Sequence, residues 1–448
     1  MGKPELGELR RVLGAATGAA VCVGVAVGAG ILRVPGEVAH ELPSATGTMG
    51  AWLLGGLVAL LDTLVLAEMA SSVPRAGGLV AYVGLSFGPA TAFVAGWTIL
   101  LVTWPASMAS VAVAIGELIA EGAGSLASDR EPTGVARAVA SASIAALAAA
   151  SLLGLRFSSR LEIALSAIKT ALLAAVFVAA ALALGAEIPG PVPSAAFPAG
   201  SALAGALAAA MVSVIFTYDG YADAVYLAGE TRDPGRAMPR ALFVALGTIT
   251  GLYLLANAAL LAGLGVERLA SSRFPALDLV ERALGANAAT AVAAVALVVL
   301  VGALHTYFLT GPRIARLLAE ERLALPILGV FDERGRSVAA TLFLAAAAIG
   351  YALTNSFPEL LELMVPLIWA TSMLVAIGLL VQRRRAPERP RPFRVPAAPL
   401  VAGAHVAIGL AFLASIVGHR PVVLAIDAAA VASGFVVYAA IRRLRRNR

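Results

Sequence analysis

The sequence predicts an all-α membrane protein of twelve transmembrane helices, on three observations. First, the 448 residues are 60% hydrophobic and 13% charged, with a mean hydropathy of +0.89. Soluble domains carry about a quarter charged residues, so the bilayer must be the solvent for most of this apolar surface. Second, the apolar residues fall into runs of at least the roughly 20 residues that cross a hydrocarbon core. Third, two runs are interrupted at corresponding places by glycine and polar residues.

Breakers and charged loops divide the chain into candidate spans 12–41, 47–70, 79–119, 134–153, 161–186, 199–230, 239–264, 286–318, 338–354, 357–382, 397–417 and 421–441. The third and eighth are long enough to project from the membrane. The opening MGKPELGELRRVLG is short and charged and leads into a long span, so no signal peptide is expected. Cationic residues set the orientation. Of 33 lysines and arginines, 25 fall in segments on the side of the N-terminus and six on the other, with Arg33 and Lys169 inside spans. That bias predicts cytoplasmic N- and C-termini. It also accounts for the pI near 9.8 without nucleic acid as a partner. The arginine-rich Gln382–Arg394 reads as a solvated loop. Cys22 is the only cysteine, so no intrachain disulfide is possible.

Motif absences narrow the class. There is no GxxxxGK[ST] and no HExxH, and no nucleophile stands at motif spacing from a base. Four histidines and one cysteine give little for a metal site. The expectation is no enzyme, no cofactor and no metal.

The first interruption is Gly28-Ala29-Gly30 in CVGVAVGAGILRVPG. The second is Tyr218-Asp219-Gly220-Tyr221 in VIFTYDGYADAVYLAGE. Gly30 and Gly220 are 190 residues apart, and each interruption opens a five-span block, 12–186 and 199–382, with two additional spans in 397–441. An odd number of spans per block means that the second enters the membrane from the opposite side, the signature of an inverted repeat with discontinuous helices. An interrupted helix leaves N–H groups unpaired on one half and C=O groups on the other. In lipid these are tolerated only where they line a cavity or meet a ligand. The positive end attracts a carboxylate, and the free carbonyls attract an ammonium. Paired breaks therefore suit the backbone of a zwitterionic amino acid.

At these residues the chain resembles the amino acid–polyamine–organocation superfamily, in its bacterial permeases of the L-type exchanger-like branch. GVAVGAGILRVPG is similar to that family's first-span motif. AEMASSVPRAGGLVAYV (Ala67 to Val83), FTYDGYADAVYLAGETRDPGRAMPRAL (Phe216 to Leu242) and PRIARLLAEERLALP (Pro312 to Pro326) resemble further signatures, over about residues 14 to 385. The resemblance implies that Ala29 and Gly30, with the amides beside them and Gly28, receive a substrate carboxylate. It implies that the carbonyls of Ala26, Phe216, Thr217 and Asp219 receive the ammonium beside Gly220, and that Tyr221 closes over the substrate. Many members have Ser or Thr where this chain has Ala29, so backbone amides must do more of the binding. Lys169 matches a lysine of sodium-independent members, whose ammonium takes the place of a sodium ion.

Ionisable residues inside spans are functional candidates by default. Lys169 lies about eight residues into its span, roughly 12 Å from the end, and snorkelling is the alternative to a coupling role. For Asp219 two readings are open, facing the substrate or a neighbouring helix. Asp223, four residues on, is expected on the same helix face and able to pair with a cation. Arg33 is a gate, a partner for Glu37 or Glu117, or a headgroup contact. Asp62 should face protein, since lipid would penalise it by roughly 3 kcal/mol. Glu68, Glu230 and Arg240 form either an inner gate network or solvated loop ends. His305 is a packed histidine or a coupling residue. Trp97 and Trp104, seven apart, share a face of the third span and are expected to pack. The last two spans are a dimer face or a cover.

These readings converge on secondary amino acid transport by alternating access. The expected mode is sodium-independent, proton-coupled symport or exchange of a neutral L-amino acid, with the substrate, protons and the bilayer as partners. The alternatives are a cationic amino acid or polyamine carrier, and a non-transporting sensor or enzyme of the same fold.

Overall fold

The computed structural model describes residues 11, 13–75, 77–122, 132–153, 155–184, 198, 200–320, 326–332, 336–419 and 421–446. The predicted starts at 12 and 199, residues 185–186, and Lys3, Arg10, Arg130, Arg322, Arg334, Arg420 and Arg448 of the charge count lie outside them. Each of the twelve predicted runs coincides with helix. Nine helices of the described residues, and a bent pair forming span one, are long and apolar enough to cross a membrane. Val338–Thr354 and the described apolar stretch Ala167–Ala179 are shorter.

Span one is two helices, Ala15–Ala26 and Ala29–Glu41, bent by 44°. Span two is Ala45–Ser72, capped by the Ser44 hydroxyl, which accepts from the Gly47 N–H at 3.0 Å. The third run is not a single helix. Gly78–Phe87 stops at Gly88, whose φ of 91° favours a residue without Cβ, and Pro89 starts the next helix at N1. Within that helix a π turn, Ile99–Thr103, separates Pro89–Thr98 from Trp104–Gly122. Spans four and five are Gly134–Ser151 and Leu155–Leu184.

Span six runs as α-helix through Ser201–Tyr218 and as 3₁₀-helix through Asp219–Glu230. Its discontinuity falls on the predicted residues but is a change of winding, not a gap. Span seven, Pro234–Ser271, is broken at Gly265. A helix absent from the sequence reading follows, Pro275–Leu284, seated on its Ala276, Leu279 and Val280 face. Spans eight to twelve are Ala286–Glu320, Val338–Thr354, Phe357–Arg385, Ala398–His419 and Pro421–Arg446.

The packing is reciprocal. The first half of span one lies on the 3₁₀ half of span six, the second half of span one lies on the α half of span six, and span two lies on span seven.

Candidate functional site

Span one unwinds only at Val27 and Gly28, where Gly28 N–H folds back to Ala26 O at 2.9 Å. Ala29 and Gly30 then begin the second half, so their amides have no acceptor inside that helix. Both residues are buried. Span six meets this break backbone to backbone. A Cβ on Gly220 would lie 2.2 Å from Ala26 N, and one on Gly30 would lie 2.6 Å from the Thr217 side chain. The two glycines thus let each broken span approach the other.

Three side chains lace the breaks together. The buried Lys169 of span five donates from Nζ to the Gly24 carbonyl, in the last turn before the break. The Cys22 thiol donates to Tyr221 O at 2.9 Å. The Tyr253 hydroxyl of span seven lies 2.5 Å from Ala26 O and 2.7 Å from Thr217 O. One hydroxyl has one proton for those two acceptors. Two of the four carbonyls expected to receive an ammonium therefore already share a donor. Tyr253→Phe leaves both without it in a low-dielectric site, a cost of about 1–3 kcal/mol. Its expected result is a KM for uptake raised by at least about fivefold, measured in proteoliposomes; an unchanged KM would remove Tyr253 from the site.

Phe216 packs edge-on against Phe357, ring centroids 5.7 Å apart, and the Thr217 hydroxyl donates to Ser213 O at 2.8 Å. Asp219 and Tyr221 line a cavity of about 30 Å³ facing spans two, three, ten and eleven, and no first-span residue borders it. The Tyr221 hydroxyl donates to Asp62 Oδ2 at 2.6 Å. Asp62 faces protein as expected, and also accepts from the Ser372 hydroxyl at 2.5 Å. Asp223 does not share a face with Asp219. The expectation used the α period, whereas 3₁₀ winding eclipses positions three apart and carries the fourth round by about 120°. Asp223 is buried, with Oδ2 unpartnered.

A family model described as amino acid permease matches residues 13–441. The chain belongs to this family. Its relatives include b(0,+)-type amino acid transporter 1 of Homo sapiens, 25% identical over 395 residues that cover 88% of this chain and 80% of that protein. Serine/threonine exchanger SteT of Bacillus subtilis is 24% identical over 401 residues, 88% of each chain. The Homo sapiens cystine/glutamate transporter is 24% identical over 392 residues, covering 87% and 77%. This permease is thus a multi-pass membrane amino acid transporter and not an enzyme.

Ion pairs flank the breaks on both faces of the permease. On the face where span one ends, buried Arg33 pairs with Glu117 of span three, and its guanidinium lies 4.3 Å from the Phe357 ring centroid. On the face where span one begins, Glu68 is wholly buried. It accepts from Arg383 at 2.9 and 2.5 Å and from the Val395 N–H at 2.7 Å, with Arg391 at 3.3 Å. Part of the arginine run expected to be solvated therefore folds back onto span two. Glu230 pairs with Arg313 at 3.3 Å, while Arg240 is exposed and outside this network.

Trp97 and Trp104 both pack, but on different faces, because the π turn between them adds a residue to the turn. Trp97 stacks on Phe93 and donates to Ser433 of span twelve at 3.0 Å; Trp104 meets Tyr226 and Tyr307 edge-on. His305 is buried in span eight. Sequence reasoning missed Tyr253, Ser372 and His405. The signal for His405 was a lone ionisable residue inside an apolar run, passed over because span eleven read as a cover.

Proposed function

We propose that this permease is a sodium-independent secondary active carrier of a neutral L-amino acid, working by alternating access as a proton-coupled symporter or an exchanger. The substrate carboxylate is received by the amides of Ala29 and Gly30 beside Gly28. The ammonium is received among the carbonyls of Ala26, Phe216, Thr217 and Asp219 beside Gly220, with Tyr221 at the edge of the site. Spans 12–186 and 199–382 act as inverted repeats, 397–441 adds two spans, and both termini lie in the cytoplasm, in keeping with the 25 to 6 arginine and lysine bias.

The observation that carries the sodium-independent reading is Lys169. Its ammonium is buried and bonded to a carbonyl at the end of the first half-helix, a fixed cation where a mobile one would otherwise serve. The relative named a serine/threonine exchanger supports a neutral substrate and exchange. A second reading, a cationic substrate, is favoured by the placing of Asp219 and Asp62 on one cavity.

The test is uptake of a labelled amino acid panel into proteoliposomes, with sodium, proton and internal-substrate gradients imposed singly. Neutral substrates should enter without sodium. Lys169→Ala removes a charged hydrogen bond of about 1.5–3 kcal/mol, so uptake should fall at least about tenfold. Strict sodium dependence with an active Lys169→Ala would overturn the role of the lysine. Preference for lysine, arginine or spermidine would select the second reading.

A further inference from the structure

We propose that His405, Ser372 and Asp62 form a proton-binding site that reports to the break in span six through the Tyr221 hydroxyl. The proposal deepens the transport reading above, on which its coupling role rests, and it assigns the proton a place separate from Lys169.

The hydrogen bonds fix the protonation pattern. Ser372 Oγ donates to Asp62 Oδ1 at 2.5 Å and lies 2.9 Å from His405 Nε2. The hydroxyl proton is committed to the carboxylate, so Ser372 Oγ accepts and Nε2 carries the hydrogen. The other ring nitrogen, Nδ1, is buried without a partner, on a side chain 2% exposed. Nδ1 is thus the open lone pair of a neutral imidazole, and a buried polar atom left unpaired calls for an explanation. A proton arriving there makes an imidazolium. Two features hold that charge: the Asp62 carboxylate, 3.7 Å from Nε2, and the Trp369 ring, stacked parallel at 5.3 Å between centroids and 10° between planes.

The surroundings supply access and readout. The cavity of about 30 Å³ is bordered by Asp62, Asp219, Tyr221, Ser372 and His405. It exceeds the roughly 10–15 Å³ that one water needs and is far below the size of an amino acid. Among the elements packed against span eleven, span two contributes Asp62 to it, span six Tyr218, Asp219 and Tyr221, and span ten Ser372; the Tyr218 hydroxyl itself donates to Trp52 O at 3.2 Å. Glu68 of span two is held at the membrane face by Arg383, and the buried acid of span twelve, Asp427, interacts with Tyr351 of span nine. With His405 neutral, Asp62 is held by Ser372 and Tyr221. Protonation turns the carboxylate toward the imidazolium and loosens its bond to Tyr221, whose carbonyl takes the Cys22 thiol of span one. The proton thereby acts on both broken spans, by as much as its affinity differs between the two states.

His405→Gln keeps a donor toward Ser372 and removes the basic nitrogen. In proteoliposomes, the ratio of pH-gradient-driven accumulation to counterflow at equal pH should fall at least tenfold in His405→Gln. A ratio within twofold of wild type overturns the proposal. A second measurement does not depend on transport. In the detergent-solubilised chain labelled with ¹⁵N-imidazole there are four histidines, and the His405 signal is the one lost in His405→Gln. Acidification should convert its Nδ1 signal from the unprotonated to the protonated form, and Asp62→Asn, which removes the facing carboxylate, should require about a tenfold higher proton concentration for the same conversion. No titration, or one indifferent to Asp62→Asn, overturns the site whatever the vesicles do. Absence of counterflow in the wild type would instead sink the transport reading and leave the titration to decide the site.

Discussion

Gly220→Ala is expected to cut transport at least about fivefold. The added methyl would sit 2.2 Å from Ala26 N and 2.8 Å from Ala26 Cα, and backbone atoms cannot rotate out of the way. Overpacking of this kind costs about 1–3 kcal/mol. Each 1.4 kcal/mol is roughly a factor of ten in population, so the packed arrangement of spans one and six should become about 5- to 150-fold rarer. Initial uptake rates in proteoliposomes measure it. Gly251→Ala on span seven is the control, because nothing lies within 4 Å of its added methyl. Gly30→Ala should be costly as well, since its methyl would lie within 2.6–2.8 Å of three Thr217 atoms, among them Cβ, which no change of rotamer moves. Uptake by Gly220→Ala within twofold of wild type would show that the two backbones separate freely and that their contact is dispensable.

Glu68→Ala should be the most destabilising single change at the face where span one begins. It strips the carboxylate from two guanidiniums and from the Val395 N–H that starts the approach to span eleven. Breaking a buried pair costs about 3–5 kcal/mol. Glu68 is 0% exposed but Arg383 is 21% exposed, so solvent recovers part of the loss and the lower end, ~3 kcal/mol, applies. The check is the thermal unfolding midpoint in detergent, which should drop by several degrees for Glu68→Ala and by less for Arg391→Ala. Equal midpoints for Glu68→Ala and wild type would mean that water already fills this junction.

Much of this was legible in the sequence because its signals are local. Gly28-Ala29-Gly30 followed by Pro35 announces an interrupted helix without a partner in view, and Lys169 announces itself as a cation in an apolar run. What stayed hidden depends on winding and on distant partners. Nothing local says that Asp219–Glu230 winds as 3₁₀ and not α, and with that choice the face of Asp223 changes. Nothing local places a π turn between Trp97 and Trp104. Tyr253 is one aromatic among many until its hydroxyl is seen 227 residues away at Ala26. His405 gains meaning only beside Ser372 and Asp62, which come from spans ten and two.

The first and sixth spans also set a constraint on how the permease is made. Residue Leu13 joins Glu230 and Arg232 by two backbone hydrogen bonds, at 2.9 and 2.8 Å, just before span one starts and just after span six ends. Together with the fit of Gly30 and Gly220 across 190 residues, this means that span one cannot reach its final form when it leaves the ribosome. At about 5–20 residues per second, its partner arrives roughly 10–40 s later. For that time the bare amides after Gly28 sit in the bilayer or the insertion machinery with no native neighbour. The residues suited to receiving a substrate are therefore the ones that the newborn chain can least readily shelter.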